Sequence, residues 1–206
     1  MTRLVLVRHG ETEFNRTDRF RGRLDVPLNE TGLRQAERAA QAIMDRFDVS
    51  AIYSSPLSRA MKTAEAIGRV LGLAVQPLPA IVDFTYGEWE GKSYREVEAA
   101  YPEAYRLYLA EPHRAVIPGG ESLRRLRRRV AAAVKEVAAA HPDETVVMVS
   151  HRMVCRMLVC YLLGLGNRDL WRVELDTASI SLFEQQEPGW VMLQANDTCH
   201  LPARLE

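Results

Sequence analysis

Apolar positions along this chain follow two rhythms. In the first they form short unbroken runs: Leu4-Val5-Leu6-Val7, Ala51-Ile52-Tyr53 and Val146-Val147-Met148-Val149. Runs of this length, rich in β-branched residues, predict strands buried on both faces, the pattern of a parallel sheet. In the second rhythm apolar residues recur every three or four positions, as in amphipathic helices. Leu33, Ala36, Ala40, Ile43 and Phe47 predict a helix beginning near Thr31, with Arg34, Glu37, Arg38 and Gln41 on its wet face. A second helix is expected from Pro56 to about Leu71, closed by Gly72, with Ser55 as N-cap and Pro56 in the first helical position. Leu123, Leu126, Val130, Ala133, Val134 and Val137 mark one face of a long helix over 122–140. Between them Arg124, Arg125, Arg127, Arg128 and Arg129 read as a solvated surface, with an anionic partner as the alternative. An apolar helix is expected from Met153 to Leu163.

Between these elements the pattern weakens. Residues 11–28 read as a loop, made basic by Arg16, Arg19, Arg21 and Arg23 and bent at Gly22 and Pro27. Its position after the first strand favours a substrate-facing loop. Leu73 to Leu78 predicts a short strand ended by Pro77 and Pro79. Ser93-Tyr94-Arg95-Glu96 matches a capping box and opens a helix toward Tyr101; a further helical piece covers 103–110. Residues 83–120 read as a cap inserted into a single domain spanning 1–206. Phe84, Tyr86, Trp89, Tyr94, Tyr101, Tyr105 and Tyr108 either line a pocket there or pack the cap onto the body. Near the end, Ser179 to Glu184 and Trp190 to Asn196, joined by Glu187-Pro188-Gly189, predict an antiparallel hairpin at one sheet edge.

Composition narrows the function classes. Lys plus Arg number 27 and Asp plus Glu 27, a zero net charge that argues against nucleic-acid binding through bulk charge. Cys155, Cys160 and Cys199 are too few and odd in number for a disulfide framework, which suits a reducing cytoplasm. Neither a signal peptide nor a membrane span is apparent, so a cytoplasmic protein is expected.

The candidate chemistry sits at strand ends. Arg8-His9-Gly10-Glu11 follows the first strand, Arg59 falls in the first turn of the helix after the second, and Ser150-His151 follows the run ending at Val149. Ligands of open α/β sheets bind beyond the carboxyl ends of the strands. Two arginines and two histidines at one such edge fit a phosphoryl pocket, with guanidinium forks on the oxygens and a neutral imidazole as nucleophile. Phosphoryl transfer rests mostly on positioning and charge, which this set supplies without metal. Other chemistries fit less well. HExxH, CxxC, GxxxxGK[ST] and GxSxG are absent. His113, His141 and His200 lack partners at ligand spacing, and Cys155 and Cys160 read as core. No cofactor and no metal are expected.

Together these residues resemble a known family. Arg8-His9-Gly10-Glu11-Thr12 with Asn15, Ser54-Ser55-Pro56-Leu57-Ser58-Arg59-Ala60, Gly87-Glu88-Trp89-Glu90-Gly91, Pro118-Gly119-Gly120-Glu121-Ser122 and Ser150-His151 occur in order. Over about residues 3–198 the chain resembles the histidine phosphatase superfamily, in its phosphoglycerate-mutase-like branch. The resemblance implies a three-layer α/β/α sandwich, mostly parallel with an antiparallel edge. It implies His9 as the phosphorylated nucleophile, with Arg8, Arg59 and His151 holding the phosphoryl group and Asn15 assisting. Arg21 and Gly22 of the basic loop join the expected substrate-binding set.

Two departures from the family pattern stand out. The proton donor is usually a glutamate four residues before the glycine of G-x-W-x-G; here it is Asp83, shorter by one methylene or roughly 1.5 Å of reach. Its ordinary pKa of about 3.9 has to rise for it to donate near neutrality. Glu11 and Glu88 are the fallback donors. Arg152 occupies a position often held by glycine and either favours an acidic substrate or points to solvent.

Ala110-Glu111-Pro112-His113 and the stretch from Asn196 to Leu201 look similar to metal-independent phosphoserine phosphatases of bacteria, although Tyr86 stands where those place a histidine. The arginine-rich insert of cofactor-dependent mutases is not found in 83–120. The leading expectation is a metal-independent phosphatase of small phosphorylated metabolites, phosphoserine among them. A cofactor-dependent phosphoglycerate mutase and a catalytically weak phosphate-binding module are the alternatives. The resemblance makes a homodimer one expected assembly.

Overall fold

A computed structural model describes residues 1–202. Six strands form one mixed sheet: β1 (Arg3–Arg8), β2 (Val49–Ser54), β3 (Val75–Pro77), β4 (Thr145–Ser150), β5 (Ile180–Gln185) and β6 (Trp190–Asp197). Their spatial order is β3-β2-β4-β1-β5-β6. The first four in that order run parallel, while β5 pairs antiparallel with both β1 and β6. This is the expected α/β architecture with its antiparallel edge.

The unbroken apolar runs explain the layering. Successive side chains of a strand point to opposite faces. Leu4, Leu6, Val146 and Met148 pack on one face with α6 (Leu123–Ala140) and α7 (Arg152–Leu162). Val5, Val7, Val147 and Val149 pack on the other with α2 (Glu30–Arg46) and α3 (Ser58–Leu71). A central strand needs apolar residues at every position because both faces are covered. No helix among the described residues is long and apolar enough to cross a membrane.

Several local details differ from expectation. The Ser55 hydroxyl does not cap a helix, because His151 Nε2 lies 2.6 Å from it. The chain bends at Pro56 and Leu57, and Leu57 becomes the N-cap of α3. Gly72 closes that helix as expected, with φ of 68°. The loop at 11–28 contains one short turn of helix, α1 (Glu13–Arg16). The strand expected over 73–78 shortens to three residues.

Residues 83–120 carry a 3₁₀ turn at Gly87–Trp89 and two helices, α4 (Tyr94–Ala100) and α5 (Pro102–Ala110). The Ser93–Glu96 capping box forms in full. The aromatic residues serve both expected uses. Trp89 is buried and packs this segment onto the body beside Phe20, 5.2 Å between ring centres. Tyr94, Tyr105 and Tyr108 line a cleft instead.

One close approach sets the geometry at the end of β1. A Cβ on Gly10 would strike the carbonyl of Gly32 in the first turn of α2, and a Cβ on Gly32 would strike the carbonyl of Glu11. Only glycine at both positions lets the loop after β1 lie against this helix. Asn29 caps α2 by accepting from the Gly32 amide, 2.8 Å away.

Candidate active site

The sheet order brings the sequence motifs together. β4 lies between β1 and β2, and the three strands end almost level, with Arg8 opposite Ser150 and Ser54 opposite Val149. The ladder continues one residue beyond each end: His9 N–H donates to Ser150 O at 2.9 Å and Ser55 N–H to Val149 O at 3.0 Å. The His9 and His151 rings therefore lie side by side, their centres 5.2 Å apart.

His9 is wholly buried. Its Nδ1 lies 2.6 Å from the Gly10 carbonyl, which can only accept, so Nδ1 carries the proton. Nε2 has no hydrogen-bond partner and presents a free lone pair. Burial holds the imidazole well below its usual pKa, and the neighbouring Arg21, His151, Arg59 and Arg8 push the same way. His9 is thus neutral and fixed in one tautomer. His151 is held neutral by burial and by the arginines in turn. Arg59 Nε donates to its Nδ1 at 3.2 Å, which leaves Nε2–H to donate to Ser55 Oγ.

Four cations surround these rings. Arg8 donates through Nη1 to Leu175 O at 2.5 Å, yet its buried Nε has no partner. Arg21 bonds Thr12 Oγ1 and Asn15 Oδ1, and its buried Nε is likewise unpartnered. Arg59 is fully buried and holds Leu24 O, Gly22 O and Asp83 Oδ2 at 2.8–2.9 Å. Arg152 lines the mouth of the same pocket with Arg21, Gly22 and Asp83. Burial, Arg21 and Arg152 bring Arg8 down to about 9; burial and Arg59 bring Arg21 to about 10. Guanidinium groups so crowded, with unspent N–H donors between them, form a site for a multiply charged oxyanion.

Asp83 is the carboxylate inside this cluster. Oδ2 lies 2.9 Å from Arg59 Nη2 and 3.6 Å from His151 Nδ1, and Oδ1 accepts from the Phe84 amide. Burial raises its pKa, and this outweighs the lowering by Arg59 and Arg21. The fallback donors lie elsewhere. Glu11 accepts from Asn29 Nδ2 at 2.8 Å, and Glu88 is exposed and accepts from the Tyr101 hydroxyl.

Not every expected binding residue faces the pocket in the same way. Asn15 Oδ1 accepts from Thr12 and from Arg21, which ties it to Arg21. Gly22 contributes its carbonyl to Arg59; its φ of 53° and the carboxylate of Glu90 leave no room for a side chain.

Two arginines of the site escaped the sequence reading. Arg129 belongs to the run read as a solvated surface, but its side chain is only 16% exposed. It pairs with Glu121, itself 1% exposed, and donates to Ala80 O at 2.7 Å and Asp83 O at 3.3 Å. Its place one residue before Val130, on the edge of the apolar face, was the available signal. Arg156 was the other, an arginine inside an apolar helix; it is 2% exposed. Arg129→Met is expected to cost about 3–5 kcal/mol of stability, because it leaves the buried Glu121 carboxylate with only the distant Arg23, 3.9 Å away. The denaturant midpoint measures this. Among the described residues no three His, Cys, Asp or Glu side chains gather as metal ligands.

Comparison with known proteins identifies the family. Residues 4–198 match the family described as histidine phosphatase superfamily, branch 1. Phosphoserine phosphatase 1 of Hydrogenobacter thermophilus is 40% identical over 201 residues, covering 98% of this chain and 95% of that protein. The structure of an Entamoeba histolytica phosphoserine phosphatase in complex with 3-phosphoglyceric acid is similar at a TM-score of 0.88 and 29% identity, over 98% of this chain and all of that one. A mycobacterial glucosyl-3-phosphoglycerate phosphatase is similar at a TM-score of 0.88 and 30% identity, over 95% of this chain and 99% of that one.

Proposed function

This chain belongs to the histidine phosphatase superfamily, branch 1, and is a phosphoric monoester hydrolase; on that footing we propose that it hydrolyses phosphoserine and related small phosphomonoesters through a phosphohistidine at His9, without a metal. The observation that carries this reading is the free lone pair of His9 Nε2 among unspent guanidinium donors. His9 Nε2 attacks phosphorus; the N–P bond forms as the bond to the leaving oxygen breaks. Arg8, Arg21 and Arg59 hold the non-bridging oxygens and take up their charge, and His151 joins them by turning its Nε2–H from Ser55 Oγ. Asp83, its pKa raised by burial, gives the proton of its acid form to the departing alkoxide. It then removes a proton from the water that attacks the phosphohistidine, which releases phosphate and neutral His9.

The shorter acid is supported by its backbone. The Asp83 carbonyl is held by Arg23 Nε at 3.2 Å and Arg129 Nη2 at 3.3 Å, which keeps its carboxyl against Arg59 and His151. Rapid quenching with phosphorus-labelled phosphoserine tests the reading. The expected label is acid-labile and alkali-stable, sits on His9, and forms and decays to inorganic phosphate in excess chelator. Hydrolysis without a label on His9 would overturn it. Transfer of the label to an isomeric ester would favour a mutase, and a label that never decays would favour a binding module.

A further inference from the structure

The cleft continues past the phosphoryl pocket as a hollow of about 320 Å³ between Phe20, Tyr94, Tyr108 and Trp171. Phe20, Tyr94, Tyr108 and Arg152 line both parts, so a leaving group attached to phosphorus enters this hollow. Arg152 and Arg156 line it too, one turn apart on α7.

Arg156 is poorly satisfied for so buried a cation. Its Nη2 pairs with Glu174, and its Cζ lies over the Trp171 ring, 4.8 Å from the ring centre. Its Nε and Nη1 are buried with no partner. Arg152 Nε is also buried without a hydrogen bond, since Glu174 Oε1 is 3.7 Å away. One carboxylate thus serves two guanidinium groups, and that carboxylate is 61% exposed. Buried charges are retained at a desolvation cost unless paired, and the in-plane N–H groups that Trp171 cannot serve match a planar oxyanion. The group already there, at the end of a largely exposed side chain, is a carboxylate.

We infer that Arg152 and Arg156 form a subsite for a carboxylate carried on the leaving group, and that Glu174 is the internal counter-ion which this carboxylate displaces. The preferred substrates are then phosphate esters of hydroxy acids, with the phosphoryl group at His9 and the acid group on α7. The subsite rests on the reading of His9 as phosphoryl acceptor.

Two matched ester pairs test it: 3-phosphoglycerate with glycerol 3-phosphate, and phosphoserine with phosphoethanolamine. Each pair differs at the carboxylate. In the unaltered protein kcat/KM is expected to favour the acid-bearing ester by about tenfold or more in both pairs. Arg156→Met should reduce that ratio by about tenfold, mainly through KM. Arg152→Met, at a half-exposed position with little risk to folding, should reduce it in the same direction. Glu174→Gln should raise the glycerate-to-glycerol ratio several-fold, because it removes the competing carboxylate. Equal turnover of both esters, or a ratio unmoved in both arginine variants, would overturn the subsite and leave the His9 chemistry standing. Turnover of neither ester, with no label on His9, would overturn both.

Discussion

His9→Ala should lose phosphatase activity by about four orders of magnitude or more in kcat, the scale on which removal of a nucleophile acts. The loss should be nearly complete because no other residue among those described presents an unpartnered imidazole nitrogen to the pocket. His151 cannot substitute: Arg59 occupies its Nδ1 and Ser55 its Nε2. Folding should survive, since the ladder bond at this position comes from the His9 backbone amide. Inorganic phosphate should bind the variant about as well as the unaltered protein, because Arg8, Arg21 and Arg59 remain. Single-turnover kinetics, with calorimetric titration of phosphate, separates the two effects. A variant retaining a tenth of the original kcat would remove His9 from the reaction.

Asp83→Asn is expected to lower kcat by about 10²–10⁴-fold on esters of ordinary alcohols, the usual range for a general acid and base. The loss on an aryl phosphate should be smaller in the phosphorylation step, since a phenolate leaves with little protonation. The pH dependence carries the sign. Burial raises the Asp83 pKa, and the acid works only when protonated. In the unaltered protein kcat/KM on an alkyl phosphate therefore falls as pH rises through that raised pKa. The asparagine variant should lose this alkaline limb and keep only the limb set by ionisation of the substrate itself. Phosphate should bind it at least as tightly, because Arg59 and Arg21 lose a competing negative charge. A pH profile identical in shape for both proteins would show that the proton comes from elsewhere.

Much of this site was legible in the chain because its parts are local. A run such as Val146 to Val149 followed by Ser150-His151 marks a strand and the residue that leaves it. The same logic placed Arg8-His9 and Arg59. Glycine at positions 10 and 32, by contrast, has its reason only in the approach of the loop after β1 to α2, which no local pattern records. Ser55 looked like a cap because a hydroxyl before proline usually is one; its true partner, His151, lies 96 residues away.

The arginines show where local reading stops. Arg129 and Arg156 follow the helical repeat of their neighbours, yet one anchors the Asp83 backbone and the other lines the cleft beside Tyr108 and Trp171. Periodicity states which face of a helix is apolar. It does not state which cations at the edge of that face are cut off from water, because that depends on what is laid across them.

By itself, then, the sequence determined the α/β class, the antiparallel edge, the two strand-end histidines and the aspartate at position 83. Hydrophobic runs and strand-end motifs are short-range features, written within a few residues. The tertiary structure decided the rest: β4 between β1 and β2, the tautomer of His9, the raised pKa of Asp83 and the charge imbalance at Arg152 and Arg156. Each depends on burial and on partners distant in the chain. Desolvation and Coulomb energy belong to the folded environment, not to the residue that carries the charge.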